Sequence, residues 1–259
     1  MDDRKQPQEA WPGRWESIRV RRADGVTELT LHTGGGPLVW SATAHRELPE
    51  ALLAIDADPD SKVLILSGTG ESFCDAIDLP SFYRPDADWA HTWYEGRKML
   101  ELLVGLNIPI VSVVNGPARI HAEIGVLAEA VLAAPDTVFA DLAHFTRGAT
   151  PGDGVHAVWP KLLGPTRGRY FLLTGTDIDA QEALRIGFVH EIHERDALND
   201  RAWHLARKMA EVSRATLQYT KMALSFDLRR HFIEDLSHGL ALQGQGFGAR
   251  KAVLRTKDD

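Results

Sequence analysis

The residues best suited to chemistry in this sequence are its 11 histidines, set among 36 acidic side chains. An imidazole with a carboxylate partner can take a proton from water near neutral pH, because its reference pKa of ~6.5 lies there and the acid steadies the imidazolium. Residue type does not choose among them, and His144, with Asp153 nine positions later, and His121 are only three of the candidates. Each also has an ordinary use. A histidine can satisfy a loop, and Asp153, between Gly152 and Gly154 after Pro151, is turn material. A metal centre built from His121, His144 and His156 is disfavoured, because their separations match no common ligand motif. Gly68-Thr69-Gly70 is too short for a dinucleotide fingerprint and reads as a turn. Cys74 is the single cysteine, which excludes an intramolecular disulfide and redox chemistry by a cysteine pair.

Several kinds of element must position these groups. The polar, proline-containing residues 1–14 read as a loose arm unless Trp11 and Trp15 dock it. Alternation over Ser17 to Arg22 and Val26 to His32, split by Ala23-Asp24-Gly25, predicts a hairpin. Ala44, Leu48, Ala51, Leu52 and Ile55 recur at helical spacing, and Val63 to Leu66 form a short apolar strand. The order repeats, with a helix over about Trp89 to Val104, a strand over Ile110 to Val114, a helix after Asn115-Gly116-Pro117, and strands near Val131 and Val138. This is an α/β pattern of buried parallel strands with covering helices. From about residue 196 the periodicity is helical only. Its apolar faces could close over the α/β body of residues 15–195 or pack against another subunit.

Bulk properties remove whole classes of function. Acidic residues outnumber basic ones for a net charge of -7, and the bases are scattered apart from small groups such as Arg19, Arg21 and Arg22, so nucleic-acid binding has no electrostatic support. No apolar run approaches the ~20 residues that span a bilayer, and the first residues lack a signal-peptide core. The expectation is a protein that is not membrane-bound and is cytoplasmic.

Four segments, in order, resemble the crotonase superfamily: Val63 to Gly70 running into Ser72-Phe73-Cys74-Asp75-Ala76-Ile77-Asp78-Leu79, Pro109 to Ala118, Phe139-Ala140-Asp141 leading to Thr150-Pro151-Gly152-Asp153-Gly154, and Leu172-Leu173-Thr174-Gly175 with Ala180, Ala183, Gly187 and Val189. The resemblance implies a spiral of ββα units with a C-terminal helical region, assembled as a homotrimer or dimer of trimers and often acting on acyl-CoA. It also implies that the two glutamates of the family's hydratases fall on Ile124 and His144, so hydratase activity is not expected. Glu123 is one residue away, but one residue on a helix turns a side chain by ~100°. The altered set is similar to the branch that hydrolyses camphor diketones, as are Leu38-Val39-Trp40, Val158-Trp159-Pro160 and Gly168 to Gly175. Carried over by position, that likeness implies His144 with Asp153 as the water-activating dyad and His121 with Trp40 at a substrate carbonyl. It also implies that Phe82 and Ile77 line the pocket, and that Gln243 stands where the branch has a glutamate.

Cleaving a β-diketone with water needs attack on one carbonyl and departure of carbon as the enolate of the other, with no redox cofactor and no metal. Neutral imidazole cannot fully deprotonate water, since a gap of ~9 pKa units costs roughly 12 kcal/mol, so proton removal must accompany attack. Direct attack by His144 to form an acyl-imidazole is an alternative. So are a crotonase acting on a CoA thioester and a non-catalytic scaffold or RNA-binding relative.

Overall fold

A computed structural model describes residues 5–82 and 89–258 of the chain. Within the segment expected to be a loose arm, residues 8–11 are tied to the body. β1 (Gln8–Ala10) pairs antiparallel with β2 (Ile18–Ala23), and Trp11 meets Trp15 edge-on at 5.9 Å. β2 continues into β3 (Val26–Leu31) through a tight hairpin. Asp24 and Gly25 both take positive φ there (53° and 78°), as a two-residue turn matched to right-handed strand twist requires.

After β4 (Val39–Trp40), Ser41 caps α1 (Ala42–Ala57) by accepting from the Ala44 N–H, and α1 leads into β5 (Val63–Ser67). Then come β6 (Ala76–Ile77), the single turn α2 (Leu79–Phe82), α3 (Trp89–Gly105) and β7 (Ile110–Val114). The helix expected after Asn115-Gly116-Pro117 is only the short α4 (Glu123–Val126). The chain ahead of it is pinned instead, with Arg119 and Ile120 donating their N–H groups to the Cys74 carbonyl. β8 (Ala130–Ala133) and β9 (Val138–Phe139) precede a cluster of α5 (Val155–Leu163), α6 (Pro165–Thr174), β10 (Ile178–Asp179), α7 (Ala180–Ile186) and β11 (Glu191–Ile192). Two helices close the chain, α8 (Arg195–Ala210) and α9 (Arg214–Asp258).

The main sheet runs β1-β2-β3-β5-β7-β8-β11, antiparallel through the opening hairpin and parallel from β3 onward. Both of its faces are covered, which is why its central strands read as unbroken apolar runs. Leu64, Leu66, Ile110, Val131 and Ala133 join the larger core with α1 and α3, while Val63, Ile65, Val111, Val113 and Leu132 pack against Leu198, Ala202, Trp203 and Ala206 of α8. α8 therefore closes over its own α/β body. α9 lies across α3 and α5, burying Phe232, Leu236 and Leu240. Its close approach needs glycine on both sides: a side chain at Gly152 would run into the Gly239 carbonyl, and one at Gly239 into His156.

Candidate active site

Trp40 belongs to the larger core, on the face of the sheet away from α8, and His121 and His144 lie beside it. His144 starts a short turn, Phe145–Arg147, soon after β9. Its carbonyl accepts from the Arg147 and Ala149 N–H groups, folding the chain back toward Thr150. Gly154 then takes φ +111° at the start of α5, and a side chain there would strike Leu100. Only glycine meets both demands at low cost, and the turn it makes carries Asp153 to His144.

The two side chains are in contact: His144 Nε2 and Asp153 Oδ2 are 2.7 Å apart. The other nitrogen is equally engaged, since His144 Nδ1 lies 2.7 Å from Asp141 Oδ1. With both acids ionised their oxygens can only accept, so a ring bonded to both at once donates from both nitrogens, as an imidazolium does. Asp141, 2% exposed, was not singled out from the sequence.

His121 is held in the left-handed region (φ +49°), where the chain turns into α4. Its Nδ1 is 2.7 Å from Glu123 Oε1, so Glu123, 1% exposed, is spent on the neighbouring histidine. The His121 ring stands 5.8 Å from that of His144 and nearly perpendicular to it. On its other side is Trp40, at 4.7 Å. Trp40 pairs in register with the half-buried Ile77 through the parallel β4/β6 bridge. Phe82 packs against the same core and meets a further ring: it lies 5.7 Å from His45, which is 5.9 Å from Trp40 and bonded through Nδ1 to Glu95 at 2.9 Å. His45 and Glu95 also went unnoticed in the sequence, being fifty positions apart. Gln243, buried on α9, has its Cβ 2.9 Å from where a side chain at Gly152 would begin.

Around these rings lie buried polar atoms without a hydrogen-bond partner: Trp40 Nε1, Glu123 Oε2, Asp141 Oδ2, Asp153 Oδ1 and Gln243 Oε1. Unmet donors and acceptors are costly in a protein interior, and a group of them in one region is suited to a polar ligand. Among the described residues, no three His, Cys, Asp or Glu side chains form a cluster able to hold a metal ion, and no helix is long and apolar enough to cross a membrane.

Burial alone would lower the pKa of His144, but Asp153 and Asp141 outweigh it and hold the ring well above the usual imidazole value. The same contest at His121 is won by Glu123, again upward. Burial pushes Asp153 up, yet the His144 cation overcomes this and leaves the carboxyl below its ordinary range. The two raised histidines contribute stability that is complete below the unfolded value of ~6.5 and is lost as pH rises through their folded values. Asp153 contributes stability present above ~3.9 that disappears as pH falls through its depressed folded value. Tm measured across pH should therefore decline on both flanks. In His144→Gln the alkaline decline should be smaller, and an unchanged alkaline slope would contradict this account of the cluster.

The chain matches the enoyl-CoA hydratase/isomerase family over residues 22–251. It is 34% identical to a carnitinyl-CoA dehydratase of Citrobacter koseri over 199 residues, covering 75% of this chain and 74% of the relative. A hydroxycinnamoyl-CoA hydratase-lyase of Pseudomonas fluorescens is 25% identical over 217 residues, with 82% and 79% covered. Among solved structures, a β-diketone hydrolase from the cyanobacterium Anabaena sp. PCC 7120, bound to (S)-3-oxocyclohexyl acetic acid, superposes with a TM-score of 0.88 at 39% identity, covering 92% of this chain and 97% of that one. An enoyl-CoA hydratase/isomerase from Mycobacterium paratuberculosis gives 0.82 at 26% identity, with 90% and 94% covered. With most of its length matched and its fold shared, the chain belongs to the enoyl-CoA hydratase/isomerase family, the crotonase superfamily.

Proposed function

We propose that the protein hydrolyses a carbon-carbon bond of a compact, neutral β-diketone, cyclic or bicyclic, giving a keto acid. The observation that carries this reading is the contact of His144 with Asp153, with His121 edge-on beside the ring and Trp40 on the far side of His121. Neutral His144 takes a proton from water at Nε2 as the oxygen attacks one carbonyl, and Asp153 stabilises the imidazolium that forms. His121 or the Trp40 indole N–H donates to the developing oxyanion. Collapse of the tetrahedral adduct breaks the bond to the central carbon, which leaves as the enolate of the second carbonyl and is protonated by the imidazolium. One water is consumed, both electron pairs stay on the substrate atoms, and the reaction needs no cofactor. Phe82 and Ile77 supply apolar wall, and Gln243 supplies a polar group from α9. The likeness to the Anabaena β-diketone hydrolase supports this reading.

A rival rests on the carnitinyl-CoA dehydratase relatives: a lyase, isomerase or hydrolase acting on an acyl-CoA thioester with His144 as its base. Against it stand Ile124 and His144, where the resemblance aligns the two glutamates of the hydratases. Purified protein incubated separately with cyclic 1,3-diketones and with an acyl-CoA panel distinguishes them. Ring opening to a keto acid is expected, and turnover of thioesters alone would reverse the assignment. The exposed side chains of Leu224, Phe226 and Ile233 on α9 offer apolar surface for self-association, consistent with work as a trimer or dimer of trimers.

A further inference from the structure

We infer that Asp141 is the positioning residue of this site: it fixes the His144 tautomer through Nδ1 and so leaves Nε2, the nitrogen facing Asp153, as the one that exchanges a proton with water. The inference deepens the hydrolase reading and rests on it only for its kinetic arm.

His144 is 3% exposed, and each ring nitrogen is 2.7 Å from a carboxylate oxygen. In that arrangement the ring carries both protons and has no lone pair to offer, so it represents the base after it has taken its proton. The working base must lose one of the two, and the flanking acids decide which. Asp141 is 2% exposed, lies three residues before His144 in the chain, and also accepts from the Ala143 N–H at 3.3 Å. Each acid has one oxygen without a partner, Asp141 Oδ2 and Asp153 Oδ1, but Asp153 is more open, with its side chain 16% exposed. An imidazole lone pair and a carboxylate repel, so the N–H is retained on the side whose acid is held in place, and the other contact opens. Water then enters between Nε2 and Asp153. The proton leaving the water goes to Nε2, Asp153 meets the charge that results, and return of that proton to the enolate carbon restores the starting form.

Other charged groups face this cluster. His121, paired with Glu123, stands beside the ring, and His156 on α5 acts on Asp153. Asp141 and Asp153 outweigh the burial cost of the cation at His144. A base raised in this way is stronger when free but is free only on the alkaline side, so turnover should rise with pH through a value above that of ordinary imidazole.

Two measurements test the assignment. The first needs no substrate: histidine labelled with 15N and 13Cε1 reports the protonation of each His144 nitrogen by NMR, with His144→Gln identifying the signal. In the wild-type protein, Nδ1 should stay protonated throughout and Nε2 alone should titrate. A neutral ring protonated on Nε2 would overturn the proposal even if no Asp141 variant could be made. In Asp141→Asn, whose amide oxygen can still accept from Nδ1–H, the His144 titration should move down by about 1–3 pH units through loss of the charge. An unmoved titration would also defeat it. The second measurement is the pH–rate profile of diketone cleavage. Asp141→Asn should shift the acidic limb of kcat to lower pH and lower the plateau at least about tenfold, part of the ~10²–10⁴-fold a positioned base supplies, with little change in KM. A purely structural role would depress the whole curve without moving its limb. Absence of any diketone turnover would refute the hydrolase reading and leave the NMR result to judge Asp141.

Discussion

In His144→Ala, cleavage of a cyclic 1,3-diketone is expected to fall by about 10⁴-fold in kcat, the upper range for loss of a positioned general base. The effect should lie in the chemical step, so KM stays within a few-fold of wild type and the loss appears equally in kcat and kcat/KM. The same substitution carries a structural cost, because Asp141 and Asp153 both lose their partner. Removing one side of a buried ionic contact typically destabilises by ~3–5 kcal/mol. In a chain of this size that corresponds to a Tm lowered by roughly 6–20 °C. Circular dichroism at 25 °C should still show the wild-type spectrum, and assays belong at that temperature. Turnover within tenfold of wild type in folded protein would mean that water is activated elsewhere.

The second large effect is at His121, where side chain and backbone contribute separately. Its imidazole lies between Trp40 and His144, and its backbone sits at φ +49°, a conformation that costs most L-residues energy. Both His121→Ala and His121→Gly should lower kcat by about 10²–10³-fold, the usual consequence of losing one donor to an oxyanion. The two should differ in stability: glycine accepts positive φ freely, so His121→Gly should be about 1 kcal/mol more stable than His121→Ala. Thermal melts and initial rates on the paired variants separate the contributions. Full activity in His121→Gly would show that the turn's backbone, not the ring, serves the carbonyl.

How much of this was legible in the sequence depended on how local the signal was. The hairpin from Ile18 to Leu31 could be read because alternation and the Asp24-Gly25 turn lie within fourteen residues. α1, α3 and the buried strands β5 and β7 announced themselves by period and by unbroken apolar runs. The docking of residues 8–10 was harder to see, because it depends on the free edge of β2, which periodicity does not report. α4 fell short because its approach is pinned to the Cys74 carbonyl across the fold. His121, His144 and Asp153 stood out only through resemblance, since nothing in a spacing of nine says that a glycine turn will fold one residue onto the other. Asp141 lay inside a segment already matched, yet an i, i+3 contact outside a regular helix leaves no periodic trace. The His45–Glu95 pair joins α1 to α3 and exists only in three dimensions.

The glycine contact between the Asp153 loop and α9 has a practical consequence for engineering. Gly152 rests against the Gly239 carbonyl with no room for a methyl group, and Gln243 lies one helical turn further along. Loop and helix are thus indexed to each other like teeth of two gears, and a slip of α9 along its axis would carry Gln243 and the loop bearing Asp153 out of step together. Under the proposed diketone-hydrolase reading, libraries aimed at ring size should vary Phe82 and Ile77 and leave both glycines untouched.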